Sequence, residues 1–324
     1  MTTTLSESLV IGISSTALFD LSTHDDFFRS AYNNGDRGTA VKKYRQHILQ
    51  RENDILEDGT GMPLVKALLE LNAYQHDPHS PLVEVVVMSR NSVETGVCVL
   101  NNIRERGLHI TRHAFTGGEP VIDYLEAFDV DLFLTTQSKD AQKIIDSRSC
   151  AAAIVKAPPT AGSKVSEGQV RIAFDGDAVL FSEDSEIVFK ERGLQAFQEN
   201  EDLNQKIPMP DGPYAALLRK LSSLQDRLPF SVEVSPVRIA IVTARSAPAE
   251  MRVINTLRHW GVYVDEIFFM GGVDKTKILE AFRPHIFFDD QDSHLSPISK
   301  IYPAGKVPYN SLSPLSGSAV DKEH

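Results

Sequence analysis

A chain of 324 residues that is 42% hydrophobic and 24% charged is long enough for two domains with cores of their own. Its formal net charge of -11 argues against a nucleic-acid backbone as partner, because that binding draws on clustered Lys and Arg. No run approaches the roughly 18 apolar residues that span a bilayer, and the start Met1-Thr-Thr-Thr lacks the basic region of a secretory signal, so a cytoplasmic protein with no membrane partner is expected.

In chain order, short aliphatic runs predict strands at residues 9–13, 83–88, 131–134, 170–174, 237–242 and 285–288, each ending in small or polar residues. Helical patterns at 93–106 and 247–259 are followed by Gly107 and Gly261, residues suited to a helix C-terminus. This alternation predicts an α/β fold, a Rossmann-like parallel sheet covered by helices. Cys98 and Cys150 are the only cysteines; they have no paired metal-ligand spacing and read as buried thiols.

The chain also resembles itself. Residues 89–140 align with residues 243–294 without a gap: Gly107 meets Gly261, Gly117-Gly118 meets Gly271-Gly272, and Leu125-Glu-Ala-Phe128 meets Leu279-Glu-Ala-Phe282. A slightly different offset lays Ile13-Ser14-Ser15-Thr16 over Phe174-Asp175-Gly176-Asp177. An internal duplication follows, with an α/β half at 1–164, a second at 165–310 and a flexible tail at 311–324. The boundary lies in Ala157-Pro-Pro-Thr-Ala-Gly-Ser-Lys164, which has linker composition.

The chemistry-bearing residues gather in the second half. Asp175-Gly176-Asp177 ends a strand, where open parallel sheets place their ligand crevice. One carboxylate can attack phosphorus and the other can serve as acid and then base. The next core strand ends in Thr243, with Arg245 just beyond it as a second phosphate contact, and a third ends in Asp289-Asp290. Acids converging from separate strand ends call for a hard cation such as Mg²⁺. Lys275 precedes the helix before Asp289-Asp290, with Lys277 as an alternative for the same role.

Asp-x-Asp, Thr, Lys and Asp-Asp in this order resemble the four-motif signature of the haloacid dehalogenase-like superfamily. The resemblance implies Asp175 as nucleophile, Asp177 as general acid and base, Thr243 and Lys275 on the phosphoryl group, and a metal site made of Asp175, Asp177, Asp290 and Asp289, the last set behind the others. Ala173-Phe-Asp-Gly-Asp-Ala-Val-Leu-Phe-Ser182, Val87-Met-Ser-Arg-Asn91, Gln198-Glu-Asn-Glu201, Gly212-Pro213 and Phe287-Phe-Asp-Asp-Gln291 resemble the cytosolic type I 5'-nucleotidases more closely. That likeness implies Mg²⁺-dependent hydrolysis of a nucleoside monophosphate substrate, AMP prominent among them, through an aspartyl-phosphate.

The remaining expectations concern the rest of the chain. Residues 182–236 read as a cap insertion that excludes water and selects the leaving group, with Phe197 and Asn200 placed to meet a base and Gly176 to approach the phosphate. The first half carries Ser14, Thr16 and Thr135-Thr136 in place of the acids. It is expected to be non-catalytic: a docking element, part of the pocket through Ser89, Arg90 and Asn91, a regulatory nucleotide site, or structural support. A symmetric homo-oligomer fits general experience. The rival readings are a phosphatase of the same mechanism acting on a sugar phosphate, and a nucleotide-binding regulator without turnover.

Overall fold

Runs of β-branched and aliphatic residues, too short for stable helices, form the strands, and the amphipathic stretches between them form the helices that cover the sheet. In the computed structural model, which describes residues 5–22, 27, 37–77, 79–160, 164–228 and 235–316, the first half runs β1 (Leu9–Ile13), α1 (Ser15–Leu18), α2 (Arg37–Gln50), α3 (Met62–Glu70), β2 (Val83–Ser89), α4 (Val93–Glu105), β3 (Arg112–Phe115), β4 (Leu132–Thr135), α5 (Ser138–Ser147) and β5 (Ala151–Val155). The second half runs β6 (Val170–Phe174), α6 (Asp184–Leu203), α7 (Ala215–Asp226), β7 (Val237–Thr243), α8 (Glu250–Trp260), β8 (Glu266–Phe269), α9 (Thr276–Phe282), β9 (Ile286–Asp289), α10 (Asp292–Ile298) and β10 (Ala304–Lys306). Every residue of β1 and β2 is buried, as expected for strands covered on both faces. No helix among the described residues is long and apolar enough to cross a membrane.

The ten strands among the described residues belong to one sheet in the order β3-β2-β1-β4-β5-β10-β9-β6-β7-β8. Read outward from the seam, β5-β4-β1-β2-β3 and β10-β9-β6-β7-β8 have the same order of first, second, third, fourth and fifth strands. The positive-φ positions correspond as well: Gly107 with Gly261, Asp129 with Arg283, and Gly117-Gly118 with Gly271-Gly272. Within each half the strands are parallel, whereas β5 and β10 meet antiparallel through Val155 opposite Gly305 and Ile154 opposite Lys306. A Cβ on Gly305 would lie 3.0 Å from both Ala153 Cβ and the Phe288 ring, so glycine permits the close seam.

The antiparallel seam has a consequence for function. Strand carboxyl ends of the first half point to one edge of the sheet and those of the second half to the other. Ser89, Arg90 and Asn91, which follow β2, therefore lie at the edge opposite Asp175, and the expectation that they join its pocket is corrected. Their partners are local: Ser89 Oγ lies 2.8 Å from Ser15 Oγ, Asn91 Nδ2 donates to Ser15 Oγ at 3.2 Å, and Arg90 pairs with Asp140 at 2.6 Å.

Two further expectations change in detail. The insertion at 182–236 splits: α6 stays near the second half's strand ends, but α7 buries Leu217, Leu218, Leu221 and Leu224 in the main core. Tyr214, at its start, packs its ring 5.0 Å from Phe288 and 6.2 Å from Phe174, so this part of the insertion is core, not cap. The segment expected as a tail is docked over residues 311–316, where Ser311 donates from both N and Oγ to Asp146 at 2.7 Å and Leu315 is buried. Residues 317–324 lie outside the described part, as do 161–163 of the expected linker.

Candidate active site

The site forms at the carboxyl ends of β6, β7 and β9, the three adjacent strands of the second half whose ends carry Asp175, Thr243 and Asp289. Asp175 is buried, its backbone N donates to Phe288 O at 2.8 Å, and its Oδ1 accepts from Gly176 N at 2.7 Å. A Cβ on Gly176 would approach Thr243 Oγ1 to 3.2 Å. Glycine thus lets the loop after β6 lie against the end of β7, which is its role here, since its N–H is directed at Asp175.

Lys275 is buried between two acids, with Nζ 3.0 Å from Asp175 Oδ1 and 2.7 Å from Asp289 Oδ2. Burial disfavours its charge, but Asp175 and Asp289 hold its pKa above the ordinary value. Lys277 is exposed, so of the two lysines only Lys275 enters the site. Burial pushes Asp175 up to about 7, with Asp289 and Asp177 adding to the rise and Lys275 opposing it. Two buried acids beside one ammonium thus leave the nucleophile candidate short of positive charge.

Asp289 is fully engaged: Oδ1 accepts from Gln291 N at 2.8 Å, and Oδ2 faces Lys275 and His294 Nδ1 at 3.0 Å. Its carboxyl is held below the usual range by Lys275 and His294 despite burial. Asp290 is the opposite case. Its Oδ2 accepts from Tyr309 OH, while Oδ1 is buried with no hydrogen-bond partner among the described residues. Burial and the neighbouring charges of Asp289, Asp175 and Glu186 drive its pKa well above the usual value. An orphaned buried carboxylate oxygen beside further acids is what a hard cation would satisfy.

Asp175, Asp289 and His294 also bring ligand atoms within 4.8 Å of one another. Lys275 already holds Asp289 Oδ2 at 2.7 Å, however, and imidazole is a poor partner for a hard cation. The donor set therefore fits a metal on the Asp290 and Asp175 side, with Asp289 as an anchor for Lys275. Asp177 is placed differently from the metal role expected of it, because its carboxylate is taken by Arg245, with Nε to Oδ2 at 2.8 Å and Nη2 to Oδ1 at 2.5 Å.

Arg245 itself is 3% exposed and turns its remaining nitrogen, Nη1, to Glu201, so the phosphate contact expected of it is corrected to a contact with two acids. Phe197 is buried, with the Arg245 guanidinium 5.3 Å above its ring and Phe189 edge-on at 6.2 Å. Buried, with Arg245 over its ring, it is not open to stack on a base. Asn200 Nδ2 donates to Glu201 Oε1 at 3.0 Å, so it too is directed inward. Residues that the sequence did not single out complete the site: Glu186, Glu201, Arg252, His294 and Tyr309. Of these only Glu201 lay within a recognised segment, Gln198-Glu-Asn-Glu201.

Against this geometry, comparison with known proteins is direct. Human cytosolic 5'-nucleotidase 1B is 36% identical over 297 residues, covering 89% of this chain and 47% of that protein. The chain thus spans about half the length of the relative, whose coverage is 47%. No solved structure matches. The family profile for 5'-nucleotidases covers residues 1–314, which takes in every strand of both halves and the whole acidic site, and the chain belongs to the 5'-nucleotidase family.

Proposed function

We propose that this protein is a Mg²⁺-dependent 5'-nucleotidase that hydrolyses nucleoside 5'-monophosphates, AMP or a close relative, through an aspartyl-phosphate. The observation that carries the reading is Asp175 at the end of β6, 3.0 Å from the buried Lys275 ammonium and two residues from the carboxylate of Asp177. An oxygen of Asp175 forms the bond to phosphorus while the bond to the ribose oxygen breaks, and the electron pair leaves with that oxygen. Asp177 supplies the proton that makes it a hydroxyl, then takes a proton from the water that releases phosphate. Lys275 and the Thr243 hydroxyl bind the non-transferred phosphoryl oxygens. A bound Mg²⁺ would offset the charge of phosphate and acids at Asp175 and Asp290.

The matched strand order and positive-φ positions support an ancestral duplication in which the first half lost its acids. With its strand ends turned to the far edge of the sheet, that half serves this reading as structural support. Phosphate release from a panel of nucleoside monophosphates and sugar phosphates, with Mg²⁺ or EDTA, tests the function. Release from nucleotides that needs Mg²⁺ and vanishes in Asp175→Asn is the expected result. Release from sugar phosphates alone would overturn the substrate, and tight nucleotide binding without release would overturn turnover itself.

A further inference from the structure

The Arg245 guanidinium has no free nitrogen for a ligand: Nε and Nη2 grip Asp177, and Nη1 reaches Glu201. Glu201, on the last turns of α6, is fully buried and also accepts from Arg252 Nη1 at 2.8 Å, Ser185 Oγ at 2.9 Å and Asn200 Nδ2 at 3.0 Å. Phe197, one turn earlier on α6, closes one face of the guanidinium. A continuous hydrogen-bonded path thus runs from α6 through Arg245 to the carboxylate two residues after Asp175.

Burying charges in this way is poor economy for stability alone, since well-packed apolar groups commonly do as well or better than a buried ion pair. What a bidentate guanidinium does supply is a fixed carboxylate plane. We propose that Arg245 and Glu201 are positioning residues that aim Asp177 at the oxygen leaving phosphorus, making α6 the element that sets the acid of the reaction. This rests on the phosphatase reading above. Asp177 first takes a proton from water; the Asp175 oxygen then bonds to phosphorus, the P–O bond to the leaving group breaks with its electron pair on oxygen, and the proton on Asp177 moves to that oxygen.

The chemistry separates aiming from mere support. A ribose alkoxide is a poor leaving group and needs the proton, whereas 4-nitrophenolate departs without it. The test compares kcat/KM, which reports the step that expels the leaving group, for AMP and 4-nitrophenyl phosphate at saturating Mg²⁺. Arg245→Lys keeps the charge but loses the two-point grip, and Glu201→Gln keeps the shape while removing the charge behind it. With AMP, kcat/KM should fall on the order of 100-fold in Arg245→Lys and about tenfold in Glu201→Gln, neither loss exceeding what general acid catalysis contributes. With 4-nitrophenyl phosphate the fall should be no more than about threefold, since that ester leaves little for a general acid to contribute.

Retained turnover of the aryl ester shows that each variant has a folded site. Equal losses on both esters, including total loss, would overturn the proposal in favour of a structural role, and so would unchanged activity on AMP. Wild-type protein that releases phosphate from neither ester would overturn the phosphatase reading beneath it.

Discussion

At the scale of single residues the site is defined by scarcity of positive charge. Lys275 faces both Asp175 and Asp289 at 3.0 and 2.7 Å, so its removal leaves two buried acids with no cation between them. Breaking a buried pair from one side costs about 3–5 kcal/mol, far more than any surface bridge returns. Lys275→Met is therefore expected to lower stability by about that amount in denaturant unfolding. Phosphate release should fall by on the order of 100-fold or more in whatever folded protein remains. A variant as stable as wild type would show that the two acids are not ionised together. Asp175, Thr243 and Asp289 were legible because each ends an aliphatic run, and Lys275 because it stands just before a helix; their partners were not. Nothing local marks Glu186 or Tyr309, which meet only after the chain has folded back, Tyr309 coming from beyond β10, and His294, five residues after Asp289, lies in no motif.

At the scale of elements the sequence spoke clearly where strands were aliphatic and poorly elsewhere. Strand β6 matches its expected span and β7 differs by one residue. Strand β5, Ala151-Ala-Ala-Ile-Val155, is hidden by alanine, a strong helix former, and β10, Ala304-Gly-Lys306, has no aliphatic run at all. Helix α7 was misplaced because an amphipathic helix on a cap and one on a sheet share the same periodicity. Its core position carries a prediction. Tyr214 is fully buried between Phe174 and Phe288, and its OH has no hydrogen-bond partner among the described residues. A lone buried hydroxyl costs roughly 1–3 kcal/mol in lost hydration, so Tyr214→Phe should raise stability by about 1 kcal/mol after minor repacking. Thermal unfolding checks this, and a clear loss of stability would show that the hydroxyl is satisfied after all.

At the scale of the whole molecule the antiparallel seam between β5 and β10 was invisible to the sequence, because strands more than a hundred residues apart leave no local signal of pairing. The same seam puts the first half's α3 beside the amino ends of the second half's strands, where His285 enters β9. His285 is 3% exposed, and its Nδ1 accepts from Arg171 N at 3.1 Å, a bond that only the unprotonated nitrogen can make. Burial, helped by the charge of Arg171, lowers its pKa from 6.5 to about 4. In the unfolded chain the imidazole takes a proton near pH 6.5, while the folded chain refuses it down to about 4. The contribution to stability is thus fully present above pH 6.5 and is lost as pH falls through the window to about 4, a change on the order of 3 kcal/mol. His285→Asn keeps an acceptor near the place of Nδ1 but cannot take a proton in this range. Subtracting its unfolding free energy from that of wild type at each pH cancels the carboxylates that titrate in both proteins. The difference should be flat above pH 6.5 and then shift against wild type as acid is added. Parallel curves throughout would mean that His285 takes up a proton in the folded state as readily as in the unfolded one, and that the bond from Arg171 does not hold it neutral.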